Sequence, residues 1–200
     1  MITTVKGILL RKTKFSETGI ILNVFTEHFG YRSFVVKSAK SKKNGIHLSG
    51  LAPLSILEIT AHIPENDRLQ FIQHLSLNFP YHHILFDLKK TSILMFLNEV
   101  LLKLLLNKAQ DEILFRFIES QLKQLENTLE ISPDFHIEFL ITLSEILGFK
   151  SEDLKYSSAN HKNASARTGF LNRYLEYMAE HLDCFTDFKT IPVLEEVLRG

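Results

Sequence analysis

Residues 19–37 read GIILNVFTEHFGYRSFVVK, two runs of β-branched and aromatic residues on either side of a short turn. Runs of this composition that are bounded by turn residues are typical of strands, which we expect at Gly19–Thr26 and Tyr31–Lys37. Gly30 closes the turn between them, and glycine adopts a positive φ there at little steric cost. The stretch therefore predicts a tight β-hairpin.

Three further runs of the same kind surround this hairpin, at Thr3–Arg11, Leu54–Ile63 and Leu69–Asn78. A long connection, Ser38–Pro53, separates the third strand from the fourth, and its polar composition is one that no packed core would hold. Five short strands in about 80 residues, with one long loop after the third, predict a small closed barrel of the OB type. We expect residues 1–80 to form a nucleic-acid-binding domain.

Beyond Pro80 the period of the apolar residues changes from two to about 3.6, which indicates helices. The helices are expected at Ile84–Leu106, at Asp111–Leu125, from just after Pro133 to Leu147, at Arg167–Leu182 and at Thr190–Leu198. The predicted fold class is α+β, an N-terminal five-stranded OB-fold barrel followed by an all-helical C-terminal domain. We expect that second domain, residues 81–200, to contact partners.

Local signals mark several helix ends. The Asp111 carboxylate can cap the second helix, Pro133 suits the first turn of the third, and Gly148 is a natural residue to follow its end. The first helix is apolar almost all round, as a central helix would be. Its predicted stripe runs through Leu85, Leu88, Ser92, Met95, Phe96, Glu99, Leu102 and Leu106.

Charge is unevenly distributed although the chain as a whole has a formal net charge of zero. Residues 1–50 contain nine Lys or Arg and two acids, so the remainder carries the compensating negative charge. Two basic clusters account for most of this excess, Arg11, Lys12 and Lys14 at the end of the first strand and Lys37, Lys40, Lys42 and Lys43 around the long loop. Loops after strands one and three can flank the groove of a five-stranded barrel, so the clusters predict one positive track for a phosphate backbone. A lysine-rich loop can equally be a solvated tip that keeps the protein in solution.

Aromatic residues near these clusters can add base stacking to the electrostatic attraction. The candidates are Phe15, Phe29, Tyr31 and Phe34. Large aromatics in a small barrel more often pack in the core or at its rim. Tyr31, which lies beside the basic Arg32, is the residue that we expect to stack, and both are predicted to contact nucleic acid.

Several classes of protein are excluded. Cys184 is the only cysteine, which excludes a disulfide framework and a thiolate-only zinc site and is typical of a reducing compartment. The sequence contains no P-loop and no GxSxG motif, and the side chains of the adjacent His82 and His83 would diverge rather than bind one metal. We therefore expect no catalytic residue, no metal, no cofactor and no small-molecule substrate. The start lacks a secretory signal and the most apolar stretch, Ile93–Leu106, is interrupted by charge, so we expect a cytoplasmic protein without a membrane partner.

An ordered set of short segments resembles the RecO family of bacterial DNA repair proteins. The segments are Val5–Leu10, Phe15–Glu17, Ile20–Leu22, Phe25–Glu27, Gly30, Val35–Ala39, Leu51–Leu54 and Phe135–Phe149. No single one is diagnostic, but they follow the family's order from about residue 2 to residue 150. The resemblance implies an OB-fold N-terminal domain and a helical C-terminal domain.

The resemblance also implies a non-enzymatic recombination mediator. RecO-like proteins bind single- and double-stranded DNA, anneal complementary strands, contact the C-terminal tail of single-stranded DNA-binding protein, and act with RecR to load RecA during gap repair. The family's basic barrel face corresponds to Lys37 by motif position, and the other cations are our extension from charge. Many members carry a four-cysteine zinc module after the third helix, but residues 155–160 read KYSSAN here. The chain therefore resembles the zinc-free branch, and it is expected at the nucleoid when bound to DNA.

Three other functions remain open on the sequence alone. The barrel can be a scaffold that binds only protein, with the acidic, apolar helical half as the interaction face. The protein can instead be an RNA-binding module. An enzyme is the third alternative, and no motif supports it.

Overall fold

The computed structural model describes residues 2–17, 19–36, 50–63, 69–158, 163–182 and 187–199. The strands are β1 (Ile2–Lys14), β2 (Ile20–Thr26), β3 (Gly30–Val36), β4 (Ile56–His62) and β5 (Gln70–Phe79). A short 3-10 helix, Ile84–Phe86, precedes α1 (Leu88–Leu105), α2 (Glu112–Asn127), α3 (Phe135–Ile146), α4 (Ala164–His181) and α5 (Ile191–Arg199). No helix of these described ranges combines the length and the hydropathy that a bilayer crossing requires.

The five strands form a closed barrel in the order β1-β2-β3-β5-β4. All neighbours are antiparallel except β3 and β5, whose short parallel pairing closes the barrel. The alternation of apolar residues along each strand fills the interior, because successive side chains of a strand point to opposite faces. Its core consists of Val5, Leu9, Leu22, Val24, Phe34, Val36, Leu51, Leu57, Ile59, Ala61 and Leu75. The predicted fold class, an OB-type barrel followed by helices, is confirmed.

The β2–β3 hairpin turns where the sequence predicts. Gly30 has a φ of 66°, and its carbonyl accepts a hydrogen bond from Thr26 Oγ1 at 2.8 Å. A Cβ atom added at Gly30 would come within 2.6 Å of the backbone of Lys108 and Ala109. Glycine is therefore required at this position for two reasons. It adopts the positive φ, and its lack of a Cβ atom leaves room for the backbone of residues 108–110.

The chain divides into two compact units. The first comprises Met1–Tyr81 and Leu105–Lys123, and the second comprises His82–Leu104 and Gln124–Gly200. In the first unit the ring of Phe25, which is fully buried, lies 6.1 Å from the ring of Phe115 in α2. This grouping differs from the expected division at residue 80 in one respect, because residues 105–123 pack with the barrel. That the ranges 1–80 and 81–200 are separate functional domains stays a prediction.

Helix α1 begins later than expected and buries a different face. The chain leaves helical geometry at Asp87, whose ψ is 118°, and the Asp87 carboxylate caps the new helix by accepting from Lys90 N at 3.1 Å. The buried face runs through Ile93, Leu94, Phe96, Leu97, Val100, Leu101 and Leu105, while Leu85, Leu88, Met95 and Leu106 of the predicted stripe are exposed. The predicted stripe was wrong at these four positions and right at Ser92 and Phe96, which are buried. Periodicity cannot identify the buried face of a helix that is apolar on all sides.

The other helix ends agree more closely with their local signals. Asp111 Oδ1 accepts from Leu114 N at 3.0 Å and caps α2. Gly148, with a φ of 88°, follows the end of α3, and the N–H groups of Gly148 and Phe149 bond back to the last turn as in a Schellman motif. Pro133 lies outside α3 rather than in its first turn, since Asp134 is the cap residue. Helix α4 begins three residues before the expected Arg167.

Candidate nucleic-acid interface

The basic end of β1 lies beyond a bulge that falls between Leu9 and Arg11. After the bulge Arg11 pairs with Asn23, Lys12 with Leu22 and Lys14 with Ile20. Directly opposite residues of an antiparallel pair share a face, so Arg11 lies on the outer face, and Lys12 and Lys14 lie on the face of the buried Leu22. All three cations are exposed. The structure therefore places these predicted site residues at one end of the β1–β2 hairpin, with Arg11 on the face opposite to Lys12 and Lys14.

Lys12 is partly used by the fold. Its ammonium donates a hydrogen bond to the Leu51 carbonyl at 2.6 Å, beside the backbone bonds that join Leu54 and Ser55 to Leu9. Burial lowers the pKa of Lys12 from its ordinary value. Lys12 therefore helps to hold residues 51–55 on β1, a structural role that sequence reasoning missed.

Arg11 and Lys14 differ from Lys12 in this respect. Neither has an acidic partner within the described part of the chain, and both side chains lie in solvent. No acidic side chain of the described barrel neutralises the charge of Arg11 or Lys14. Both charges can therefore bind a phosphate group.

Cations on the α2 side of the first unit are, in contrast, paired with acids. Lys6 Nζ lies 3.3 Å from Glu119 and 3.8 Å from Glu27, and Lys123 lies 2.9 Å from Glu119. Burial would raise the pKa of Glu119, but the hydrogen bond and charge of Lys123, together with Lys6, hold it below its ordinary value. This cluster joins α2 to the barrel and leaves little net charge for a ligand.

Tyr31 and Arg32 are placed differently from the cations of β1. Tyr31 is half-buried, pairs with the buried Phe25, and donates from its N–H to the Lys108 carbonyl at 2.9 Å. Arg32 pairs with the buried Val24, and its Nη1 donates to the Tyr31 carbonyl at 2.9 Å. Both side chains are therefore partly buried against the barrel. Their role in binding stays a prediction.

The remaining aromatic candidates fall into two groups. Phe34 is fully buried and Phe29 packs against the barrel core, so both serve the interior. Phe15 is 52% exposed at the end of β1, next to Lys14. Phe15 and Tyr31 are both candidates from the sequence, and stacking by either residue stays a prediction.

The cluster of the long loop, with Lys37, Lys40, Lys42 and Lys43, lies outside the described residues. Whether it joins Arg11 and Lys14 in one track stays a prediction. Cys184 also lies outside them. Within the described ranges no three His, Cys, Asp or Glu side chains gather as metal ligands do, and a single cysteine cannot supply the four-thiolate zinc module of many RecO-like proteins.

Comparison with known proteins assigns both halves of the chain to the same family. The family model described as "Recombination protein O N terminal" matches residues 1–81. The model described as "Recombination protein O C terminal" matches residues 85–192. Together the two matches cover most of the chain.

Individual relatives give the same result. The chain is 27% identical to the DNA repair protein RecO of Flavobacterium psychrophilum over 232 positions, which cover 96% of this chain and 97% of that protein. It is 31% identical to the RecO of Azobacteroides pseudotrichonymphae, over 78% of this chain and 65% of that protein. For the RecO of Flavobacterium johnsoniae the identity is 33%, over 72% of this chain and 61% of that protein. Since the first alignment has more positions than this chain's 200 residues, that relative contains segments that are absent here.

Proposed function

The chain belongs to the RecO family of DNA repair proteins, and from this premise we propose that it is a non-enzymatic, DNA-binding mediator of recombination. The observation that supports the proposal most directly is the exposed basic end of β1 on a closed OB-type barrel. Arg11 and Lys14 carry charge that the described barrel does not use. A barrel that folds without these charges has them available for phosphate groups.

The proposed mechanism is electrostatic capture followed by transfer between proteins, without a covalent step. Arg11, Lys14 and the loop lysines Lys37, Lys40, Lys42 and Lys43 contact phosphates, and Lys12 holds residues 51–55 on β1. Contacts of this kind bind single and double strands without reading sequence. Because neutralised phosphates repel one another less, the same surface promotes the annealing of complementary strands.

The partners of the proposed mediator follow from the family. We propose that it acts with RecR, that it contacts the C-terminal tail of single-stranded DNA-binding protein, and that it helps to load RecA on DNA coated by that protein. The helical residues 81–200 are proposed as the part that contacts partners. Pull-down of RecR and of a peptide with the tail sequence by the full chain tests this part separately from DNA binding.

The first experiment is fluorescence anisotropy with a labelled single-stranded oligonucleotide over a series of salt concentrations. We expect affinity to fall steeply with salt, with a log–log slope of about 0.7 per phosphate contacted. The double variant Arg11→Glu/Lys14→Glu should bind more weakly and with a smaller slope. The matched control is Lys89→Glu/Arg173→Glu, which reverses two exposed cations of α1 and α4 and should bind as the wild type does.

Two outcomes would contradict the proposal. Absence of binding at low salt would identify the barrel as a protein-binding scaffold. Stronger binding of a matched RNA than of DNA in direct competition would favour an RNA-binding module.

A further inference from the structure

Phe15 and Phe71 are the two exposed large aromatic side chains of the described barrel, each with 52% of its surface in solvent. A single exposed apolar residue needs no functional explanation by itself. The two differ in their surroundings, however. Phe71 lies in β5, which contains no Lys or Arg and is preceded by the single cation Arg68, whereas three cations, Arg11, Lys12 and Lys14, lie within four residues before Phe15.

The backbone around Phe15 is ordered by a compact turn. Phe15 N and Ser16 N both donate to the Gly19 carbonyl, at 2.9 and 3.2 Å, and Gly19 N donates to Ser16 Oγ at 2.8 Å. A Cβ atom at Gly19 would lie 3.3 Å from Cδ1 of the Phe15 ring and 2.7 Å from Ser16 Oγ. One edge of the ring therefore lies beside Gly19, and the rest of it is open to a ligand.

We propose that the Phe15 ring stacks on an unpaired base of single-stranded nucleic acid, with Arg11 and Lys14 contacting the phosphates beside that base. This inference rests on the proposed DNA-binding function and adds a strand preference to it. An aromatic ring next to exposed cations fits a ligand that has flat apolar faces and negative charge close together. Only unpaired bases present such a face, since in a duplex both faces are covered by neighbouring pairs. Glu17 is the one acid in the turn, against three cations.

The chain contains no tryptophan, so a single Trp reports directly on its own surroundings. Phe15→Trp retains an aromatic ring at the turn, and Phe71→Trp is the matched control with the same initial exposure. Titration with an oligo(dT) strand at low salt should quench the fluorescence of Phe15→Trp as the anisotropy of a labelled strand rises. The fluorescence of Phe71→Trp should change much less.

Two further variants separate stacking from a general apolar contact. Phe15→Ala and Phe15→Leu should both weaken single-strand binding by about tenfold, because stacking requires a π-face. Duplex binding should change little. Wild-type affinity in Phe15→Leu, or an equal loss for single strand and duplex, would overturn the inference.

The failures of this inference and of the proposed function are distinguishable. If anisotropy shows binding but Phe15→Trp is not quenched, Phe15 does not stack and the DNA-binding proposal stands. If no variant and no wild-type protein binds DNA at low salt, both are wrong.

Discussion

Charged side chains serve opposite purposes at the end of β1 and in the segment 82–90. At the end of β1 the charges of Arg11 and Lys14 lie in solvent and take part in no ion pair of the described chain. In the segment 82–90, Lys90 has only 2% of its surface exposed, and Glu126 of α2, which bonds to this segment, has 3%. Buried charged groups that are hydrogen-bonded within the protein stabilise the fold. Exposed charged groups outside any ion pair are candidates for binding a ligand.

Both oxygens of the Glu126 carboxylate accept hydrogen bonds from within the protein. Oε1 accepts from His82 N at 2.7 Å and His83 N at 2.8 Å, and Oε2 accepts from Ile84 N at 3.0 Å. The Lys90 ammonium donates to the Glu126 carbonyl at 3.0 Å. Burial would raise the pKa of this carboxyl, but the three backbone N–H groups and the His83 ring lower it below its ordinary value.

The largest expected effect follows from removing this carboxylate. Glu126→Ala leaves three backbone N–H groups without their acceptor, and we expect it to lower the free energy of unfolding by about 2–4 kcal/mol. Urea unfolding followed by circular dichroism measures the change. The control is Glu130→Ala, an exposed neighbour, which should unfold as the wild type does; an equal loss in both variants would contradict the assignment.

The same carboxylate predicts a pH dependence. A glutamate in an unfolded chain titrates near pH 4.3, about its reference pKa, and the folded-state pKa of Glu126 lies lower. Its contribution to stability is therefore fully present above that reference value and is lost as the pH falls through the folded-state pKa. Between pH 7 and pH 3 the wild type should lose more stability than Glu126→Ala. Parallel losses would show that other groups dominate acid unfolding.

The second effect concerns the basic loop. Reversing Lys40, Lys42 and Lys43 to Glu should weaken DNA binding by roughly ten- to a hundredfold at low salt and reduce the salt slope by about 2. The loss should be the same for oligonucleotides of different sequence, because phosphates carry no base information. Anisotropy with several sequences measures it. A sequence-dependent loss would show that the loop reads bases.

Tyr31→Ala should have a smaller effect, since the side chain is half-buried. We expect a loss of about 1 kcal/mol in single-strand affinity and less in duplex affinity. Equal losses on both ligands would exclude stacking by Tyr31. Thermal melting of the same variant separates a loss of contact from damage to the barrel wall.

The smallest effect is expected at Glu99, which caps α5. Its carboxylate accepts from Lys189 N at 2.9 Å, from Thr190 N at 2.9 Å and from Thr190 Oγ1 at 2.7 Å. Glu99→Gln should lower stability by about 1 kcal/mol, as the loss of a helix cap does. Glu196→Gln, on an exposed position of α5, is the control and should be neutral, as should DNA binding in both.

Sequence predicted those parts of the fold that depend on near neighbours. The turn at Gly30, the cap at Asp111 and the helix end at Gly148 each involve residues at most five positions apart. The strand pattern predicted the barrel for the same reason, because alternation is a local property.

Pairings between distant residues were not predictable in this way. Glu126 reaches a backbone segment more than 40 positions away, and Glu99 reaches one about 90 positions away. Nothing near either glutamate marks it as a cap. The same limit applies to the candidate site, where the sequence identified the cations of β1 but not that Lys12 holds the Leu51 carbonyl.

The packing of residues 108–110 against Gly30 affects how the barrel folds while the chain is being synthesised. The N-terminal family match ends at residue 81, yet the first compact unit also needs Leu105–Lys123. During synthesis the Lys108 carbonyl, which accepts from Tyr31 N, and the ring of Phe115, which packs near Phe25, are added only some eighty to ninety residues after their partners in the β2–β3 hairpin. Until residues 105–123 have been synthesised, the apolar surface of the barrel around Phe25 is not covered by them. Association with other chains competes with folding during this time.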